Sequence, residues 1–145
     1  MNNRAEKIRI KIADWRQHRE ALLQVRYQVF VVEQRVPEDD EWDGMDESSR
    51  HAMATDLAGN TIGTGRLLPS GKIGRMAVLE SWRNRGVGGR ILGLLLEEAV
   101  RRGHTRIELS AQIRAIPFYE RHGFTPYGDE FMDAGIPHRM MARDL

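Results

Sequence analysis

The chain has 145 residues, of which 41% are hydrophobic and 30% charged, enough for one domain that buries roughly two-thirds of its unfolded surface and too few for a second. Its 22 Lys and Arg oppose 21 Asp and Glu for a net charge of +1, which gives no footing for a nucleic-acid coat or an anionic membrane. With no cysteine, a disulfide scaffold, a thiolate zinc site and a cysteine nucleophile are excluded together. The opening MNNRAEKIRIKIADW holds no signal-peptide stretch and no run nears the ~18 apolar residues of a membrane span, so one cytoplasmic domain over residues 1–145 is expected.

Ile8, Ile10 and Ile12 alternate with Arg9 and Lys11, the period of a half-buried strand, and Asp14 then offers a helix N-cap. Leu22, Val25, Val29 and Val32 recur at spacings of three and four, which predicts a helix from about Trp15 to Gln34 with one buried stripe, stopped by Pro37. Glu38 to Glu47 holds seven carboxylates and no base, too charged for a core element and read as an irregular acidic loop. His51 to Asp56 and Thr61 to Leu68 are β-leaning runs divided by the hairpin residues Ala58, Gly59 and Asn60. Ser70 and Gly71 make a second turn before a strand from Lys72 to Leu79, which completes an antiparallel meander.

Gly86, Gly88 and Gly89 open a helix from Val87 to Arg102 with the apolar face Val87, Ile91, Leu94, Leu95 and Ala99. Its Glu97–Arg101 and Glu98–Arg102 pairs are expected on the wet side, with Gly103 as C-cap. Thr105 to Ser110 reads as a strand and Ala115 to His122 as a short helix, with Pro117 in its first turn and Gly123 at its end. Two last strands lie near Thr125 to Phe131 and His138 to Arg143. The order β-α-β-β-β-α-β-α-β-β predicts a mixed sheet with helices on its faces.

The stretch RMAVLESWRNRGVGGRIL sets a strand, a basic turn and a glycine-rich helix start in succession. Such a turn presents unpaired amides at the positive end of a helix dipole, beside Arg83, Arg85 and Arg90, and suits an anion such as pyrophosphate. Glycine there lets the backbone approach phosphate oxygens. A dinucleotide fingerprint needs a glycine where Ile91 stands, and a P-loop needs Gly-Lys-Ser/Thr, so both of those readings fail. An ordinary glycine-rich turn with solvated arginines is the competing view.

What the turn does match is Arg-x-x-Gly-x-Gly, written Arg83, Asn84, Arg85, Gly86, Val87, Gly88. Here the sequence resembles the GNAT family of acetyl-CoA-dependent N-acetyltransferases. About thirty residues on, Phe118, Tyr119, Glu120, Gly123 and Phe124 of AQIRAIPFYERHGF resemble that family's short helix and terminal Gly-Phe. The segments VFVVEQRVPEDDEWDGMD, His51, LSAQ and GIPH are similar to the small ElaA-like branch, which extends the likeness over nearly the whole chain. One departure is Glu80-Ser81 after Val78-Leu79, where a proline often follows the acidic residue.

The resemblance implies an α/β (α+β mixed) GNAT fold: a central mixed, mostly antiparallel twisted sheet of about seven strands, helices on both faces, and splayed fourth and fifth strands. It implies acetyl-CoA as cosubstrate and no metal. Met76, Ala77 and Val78 would bond the pantetheine arm through their backbone, Arg83, Asn84, Arg85, Gly86, Val87, Gly88 and Gly89 would surround the pyrophosphate, and Phe118 would join the cofactor site. Gln112 falls where the family often has an Asn on the arm. Tyr119 occupies the position of the general acid that returns a proton to the departing thiolate. Each has a plain alternative, as strand core or aromatic packing.

An acceptor amine with a pKa near 10.4 is neutral in only about one molecule in a few thousand at pH 7, so a base or water chain must take its proton. The candidates on the acceptor side are Glu33, His51, Glu108 and His138. The acidic run would concentrate a cationic amine, small molecule or peptide, unless it is merely a solvated loop. Its spacing lacks the EF-hand pattern. A non-catalytic acyl-CoA-binding domain is the main rival; a nucleic-acid module is opposed by the acidic loop and by the lack of interleaved aromatics. The sequence leaves a homodimer open.

Overall fold

The computed structural model describes residues 7–145; the first six residues of the stretch searched for a signal peptide lie outside it. β1 (Ile8–Ala13) hands over to α1 (Trp15–Arg26) through Asp14, whose side chain caps the helix by accepting from the Arg16 amide at 3.2 Å. The single long helix predicted from Trp15 to Gln34 is two segments. After Arg26 the backbone widens into a π-helix over Tyr27–Glu33, and the Gln34 amide closes it on the Val29 carbonyl at 3.0 Å. The extra residue per turn rotates the apolar stripe: Val25 and Val29 stay buried at 3% exposure, while Val32 is 50% exposed. π turns of this kind recur at functional sites.

The predicted acidic loop is partly ordered, with a short helix α2 (Glu38–Glu41) followed by turns. β2 (Arg50–Asp56), β3 (Thr61–Leu67) and β4 (Lys72–Val78) then form the antiparallel meander, α3 (Val87–Arg101) crosses over, and β5 (Arg106–Gln112), α4 (Ile116–Glu120), β6 (Thr125–Asp133) and β7 (Ile136–Asp144) complete the chain. The seven strands lie in the order β1-β2-β3-β4-β5-β7-β6. Every ladder is antiparallel except β4 with β5, which pair only at Lys72↔Glu108 and Ile73↔Leu109. Beyond Ile73 and Leu109 the two strands part, so the expected splay is a fork in the middle of the sheet.

A bulge in β4 bends that strand at the fork. Thr64 faces Ala77 and Arg66 faces Gly74, leaving Arg75 and Met76 opposite Gly65 alone. Arg75 takes φ +51°, a left-handed conformation uncommon outside glycine. Gly65 is required by close approach: a Cβ there would sit 2.6 Å from the Met76 sulfur and 3.0 Å from Ile91 and Leu95.

The main core lies between the sheet and α3, where Ala52, Ala54, Ile62 and Leu109 meet Ile91 and Leu95. The alternate strand residues face the other way, Met53 against Leu22 of α1 and Ala77 against Val25 and Val29. Glu98 departs from expectation. It is buried rather than wet, and Arg101 and Arg102 both turn to it at 3.3 Å while Arg50 approaches at 3.8 Å. Three cations around one carboxylate offset what its burial would otherwise cost.

Candidate active site

The fork opens a cleft of about 890 Å³. One wall is β4 from Ile73 through Met76, Ala77 and Val78, the other carries Ser110 and Gln112 of β5, and Tyr119 reaches it from α4. The π segment covers it with Val29, Phe30 and the following Gln34, and the β6–β7 turn adds Asp133, Ile136 and His138. The loss of the β5 ladder leaves Met76–Val78 without a strand partner on the side of this gap.

At the open end of the fork lies the glycine turn. Asn84 and Gly86 hold φ +61° and +81°, and Gly86 is the N-cap of α3, so the first amides of that helix are presented at its positive pole. Val87 turns inward and is 1% exposed. Gly89 lets α3 approach the residues after α4, since a Cβ there would sit 3.3 Å from His122, while a Cβ at Gly88 would make ordinary contact with Phe118 at 3.5 Å. Phe118 therefore packs behind the turn and touches the Tyr119 and His122 rings edge-on or tilted. Arg85 lies over Trp82 at 5.0 Å.

Arg83 is anchored on three sides. Its Nε donates to the Val78 carbonyl at 2.9 Å, and its two terminal nitrogens grip the Glu33 carboxylate at 2.5 and 2.7 Å. Glu33 is in turn held below the usual carboxylate range by that hydrogen bond, which makes it a poor base. Gln112 is also engaged: its amide nitrogen donates to Gln34 at 2.9 Å, and its oxygen accepts from Arg114 at 3.3 Å.

Tyr119 is 9% exposed, and burial pushes its phenol up to about 12, so the group holds its proton throughout the neutral range. His138 lies on the cleft wall directly across the sheet from Gln112. Its Nδ1 is 2.7 Å from the Ile136 carbonyl. A carbonyl only accepts, so Nδ1 carries the hydrogen, an arrangement that in the neutral ring puts the lone pair on Nε2.

Of the four acceptor-side candidates His138 alone lines the cleft; Glu33 meets it through Arg83, and His51 and Glu108 are not brought to it. His51 is 1% exposed, stacked on Trp15 at 4.4 Å, with Nε2 at 2.8 Å from the Asp46 carbonyl. Burial lowers its proton affinity, and it serves the core. Glu108 faces Arg106 at 3.2 Å on the exposed side of β5.

The acidic run does not act as one negative surface. Glu41 bonds Arg26 and Arg75, Asp43 bonds Arg75 and Arg66, and Asp46 bonds Arg66 and Arg26. These six side chains close a neutral ring that straps residues 41–46 onto the sheet. Arg66 fixes Asp43 at a pKa of about 2. The charge count alone did not reveal this, because the three arginines come from distant segments.

The sequence reading also missed Arg75, Gln34 and Ser110. Arg75 carries the bulge, and Gln34 bonds Gln112. The buried Ser110 hydroxyl has no partner among the described residues, a cost of about 1–3 kcal/mol that a hydrogen bond to a ligand in the cleft would offset.

Residues 15–145 match the family model described as an acetyltransferase (GNAT) domain. The chain belongs to the GNAT acetyltransferase family. This GNAT domain is 41% identical to the Bacillus subtilis protein named uncharacterized N-acetyltransferase YjcF, over 83% of this chain and 88% of that one. It is similar to the crystal structure of Escherichia coli ElaA, with a TM-score of 0.84 and 31% identity over 94% of this chain and 99% of that chain, as the ElaA-like segments implied. An acyl-CoA N-acyltransferase from Pseudomonas aeruginosa matches with a TM-score of 0.82 and 34% identity over 94% of this chain and 97% of that chain. Among the described residues, no helix of the GNAT domain is long and apolar enough to cross a membrane.

Proposed function

We propose that this domain transfers the acetyl group of acetyl-CoA to a primary amine of a small molecule or peptide by direct attack. The observation that carries the reading is the fork, because Arg83 and Asn84 of the turn and Tyr119 of α4 line one gap where the strands part. A micromolar cofactor needs about 8 kcal/mol, much of which a few charge-assisted bonds to turn amides at roughly 1.5–3 kcal/mol each can supply. Pyrophosphate would rest on the amides of Gly86–Gly89, with Arg83 shaping the turn while Glu33 holds its terminal nitrogens. The pantetheine arm would run along Met76–Val78, near Gln112. When bound, the cofactor supplies the activated acyl carbon.

The amine nitrogen attacks the thioester carbonyl carbon, the carbon–sulfur bond breaks, and Tyr119 gives its proton to the leaving thiolate. From a phenol at about 12 to a thiolate of ordinary pKa near 8.5, that transfer is uphill by about 5 kcal/mol as an isolated step. It therefore accompanies bond cleavage, and the proton lost by the amine restores the phenol through the base. His138 Nε2 is the best-placed base, since Glu33 is paired and His51 is buried. For a cationic acceptor the support is Asp40 and Asp133 on the cleft wall, not the acidic run as a whole.

A panel of amines assayed for CoA release, with mass spectrometry of the products, tests the reading. Tyr119→Phe should turn over roughly 10²-fold more slowly with acetyl-CoA affinity unchanged. Equal turnover would return Tyr119 to a packing role.

A further inference from the structure

Two adjacent residues at the end of the π segment touch both lips of the fork. Glu33 grips Arg83, whose Nε holds the carbonyl of Val78, the last residue of β4. Gln34 accepts from the side chain of Gln112 at 2.9 Å, the last residue of β5. The strands themselves exchange no ladder bonds here, since their pairing stops at Ile73↔Leu109. The π segment is fixed behind this contact by Val29, buried against Ala77 of β4.

We infer that Glu33 and Gln34 form a clasp that sets the separation of the β4 and β5 lips, and so act as positioning residues for the acyl donor. Stability is not the purpose of these bonds. An ion pair with both side chains about one-third exposed contributes little to folding, and an amide–amide bond near the surface contributes similarly little. Their effect is geometric: a gap already held at its working width need not be ordered when the arm enters, whereas a loose gap pays that ordering on binding. Two consecutive side chains can serve the two lips because Glu33 is the last residue of the π segment and Gln34 is its C-cap, where the helix ends.

The inference rests on the acetyl-CoA reading for its consequence and on the apo protein for its geometry, so the test measures both. Gln34→Leu removes the acceptor, Gln34→Glu keeps an oxygen for the Gln112 amide, and Glu33→Gln removes the charge that holds Arg83. Amide hydrogen exchange without ligand should be roughly tenfold faster at Met76–Val78 in Glu33→Gln and at Ser110–Gln112 in Gln34→Leu, with the melting temperature nearly unchanged. Calorimetry should show acetyl-CoA bound about tenfold more weakly by both variants, and Gln34→Glu should behave as the parent in both measurements. Parent-like exchange and affinity in Glu33→Gln and Gln34→Leu would overturn the clasp and leave the acetyltransferase reading intact. If the parent fails to bind acetyl-CoA, that reading falls, and the exchange data alone uphold or overturn the clasp.

Discussion

Glu41 binds Arg26 at 2.5 Å where both side chains are almost fully buried, at 5% and 1% exposure. The other oxygen of Glu41 reaches Arg75 at 3.3 Å, so one carboxylate ties α1 to the bulge of β4. An uncompensated cation would remain if Glu41 were neutral. Glu41→Gln is expected to cost about 3–5 kcal/mol in urea or thermal unfolding, the range for breaking one partner of a buried pair. A loss below about 1 kcal/mol would mean that the ring is open in solution.

Acid should unfold the protein in two stages. Burial leaves His51 less basic than its ordinary 6.5, so the unfolded chain binds that proton first and stability falls as the pH drops below 6.5. Asp43 sits at about 2 against an ordinary 3.8. Asp46 is also lowered, its hydrogen bonds from Arg26 and Arg66 outweighing the opposing effect of burial. The contribution of these carboxylates is full above about pH 4 and is lost as the pH falls toward 2. Melting temperature against pH should show both declines, and His51→Phe, which keeps a ring on Trp15, should reduce the upper one, leaving the share of His122, whose proton affinity is also lowered by burial. A flat curve from pH 7 to about 5 in the parent would refute the histidine stage.

Two glycines of the turn should separate fold from binding. Gly86 needs its positive φ while its Cβ position is open, so Gly86→Ala should destabilise by about 1 kcal/mol. Gly88 carries no such φ, and its Cβ would meet Phe118 at an ordinary 3.5 Å. Gly88→Ala should fold normally and keep its acetyl-CoA affinity, because the added methyl points at Phe118 behind the turn. Gly86→Glu places a carboxylate in the open space at the turn and should lose that affinity by repelling pyrophosphate; calorimetry showing full affinity in Gly86→Glu would move the anion site elsewhere.

His138 as the base predicts that His138→Ala lowers turnover by roughly 10²-fold at unchanged acetyl-CoA affinity. Added imidazole should recover part of that loss, because the small base can enter the space left by the ring. A variant as active as the parent would send the proton through water.

The strands and their order were legible because Ile8, Ile10 and Ile12, or the turn residues Ala58 to Asn60, declare themselves within a few positions. Arg83 to Gly89 and Tyr119 were legible for the same reason, as local motifs. The ring was not, since Arg26, Arg66 and Arg75 are separated by up to 49 residues and only folding brings them to Glu41, Asp43 and Asp46. His51 reads as a reactive side chain until Trp15 is seen stacked on it. Gln34 was hidden by the π turn, which shifts every later helical position by one, so that extending the 3.6-residue pattern put Val32 inside and left the clasp unseen.

The fork also bears on how the chain assembles. β1 to β4 are sequential antiparallel neighbours, and β6 and β7 form a second hairpin with β5 beside it. The halves meet in the sheet at two residue pairs. Hairpins close short loops and form early, whereas the parallel contact must wait for the α3 crossover. Truncating Ile73 or Leu109 should therefore quicken unfolding more than it slows folding, a low φ-value measurable by stopped flow. The gap is thus the seam between two separately zipped halves, and a molecule lodged in it would act as a kinetic brake on their separation, lengthening the lifetime of the native chain without hastening its arrival.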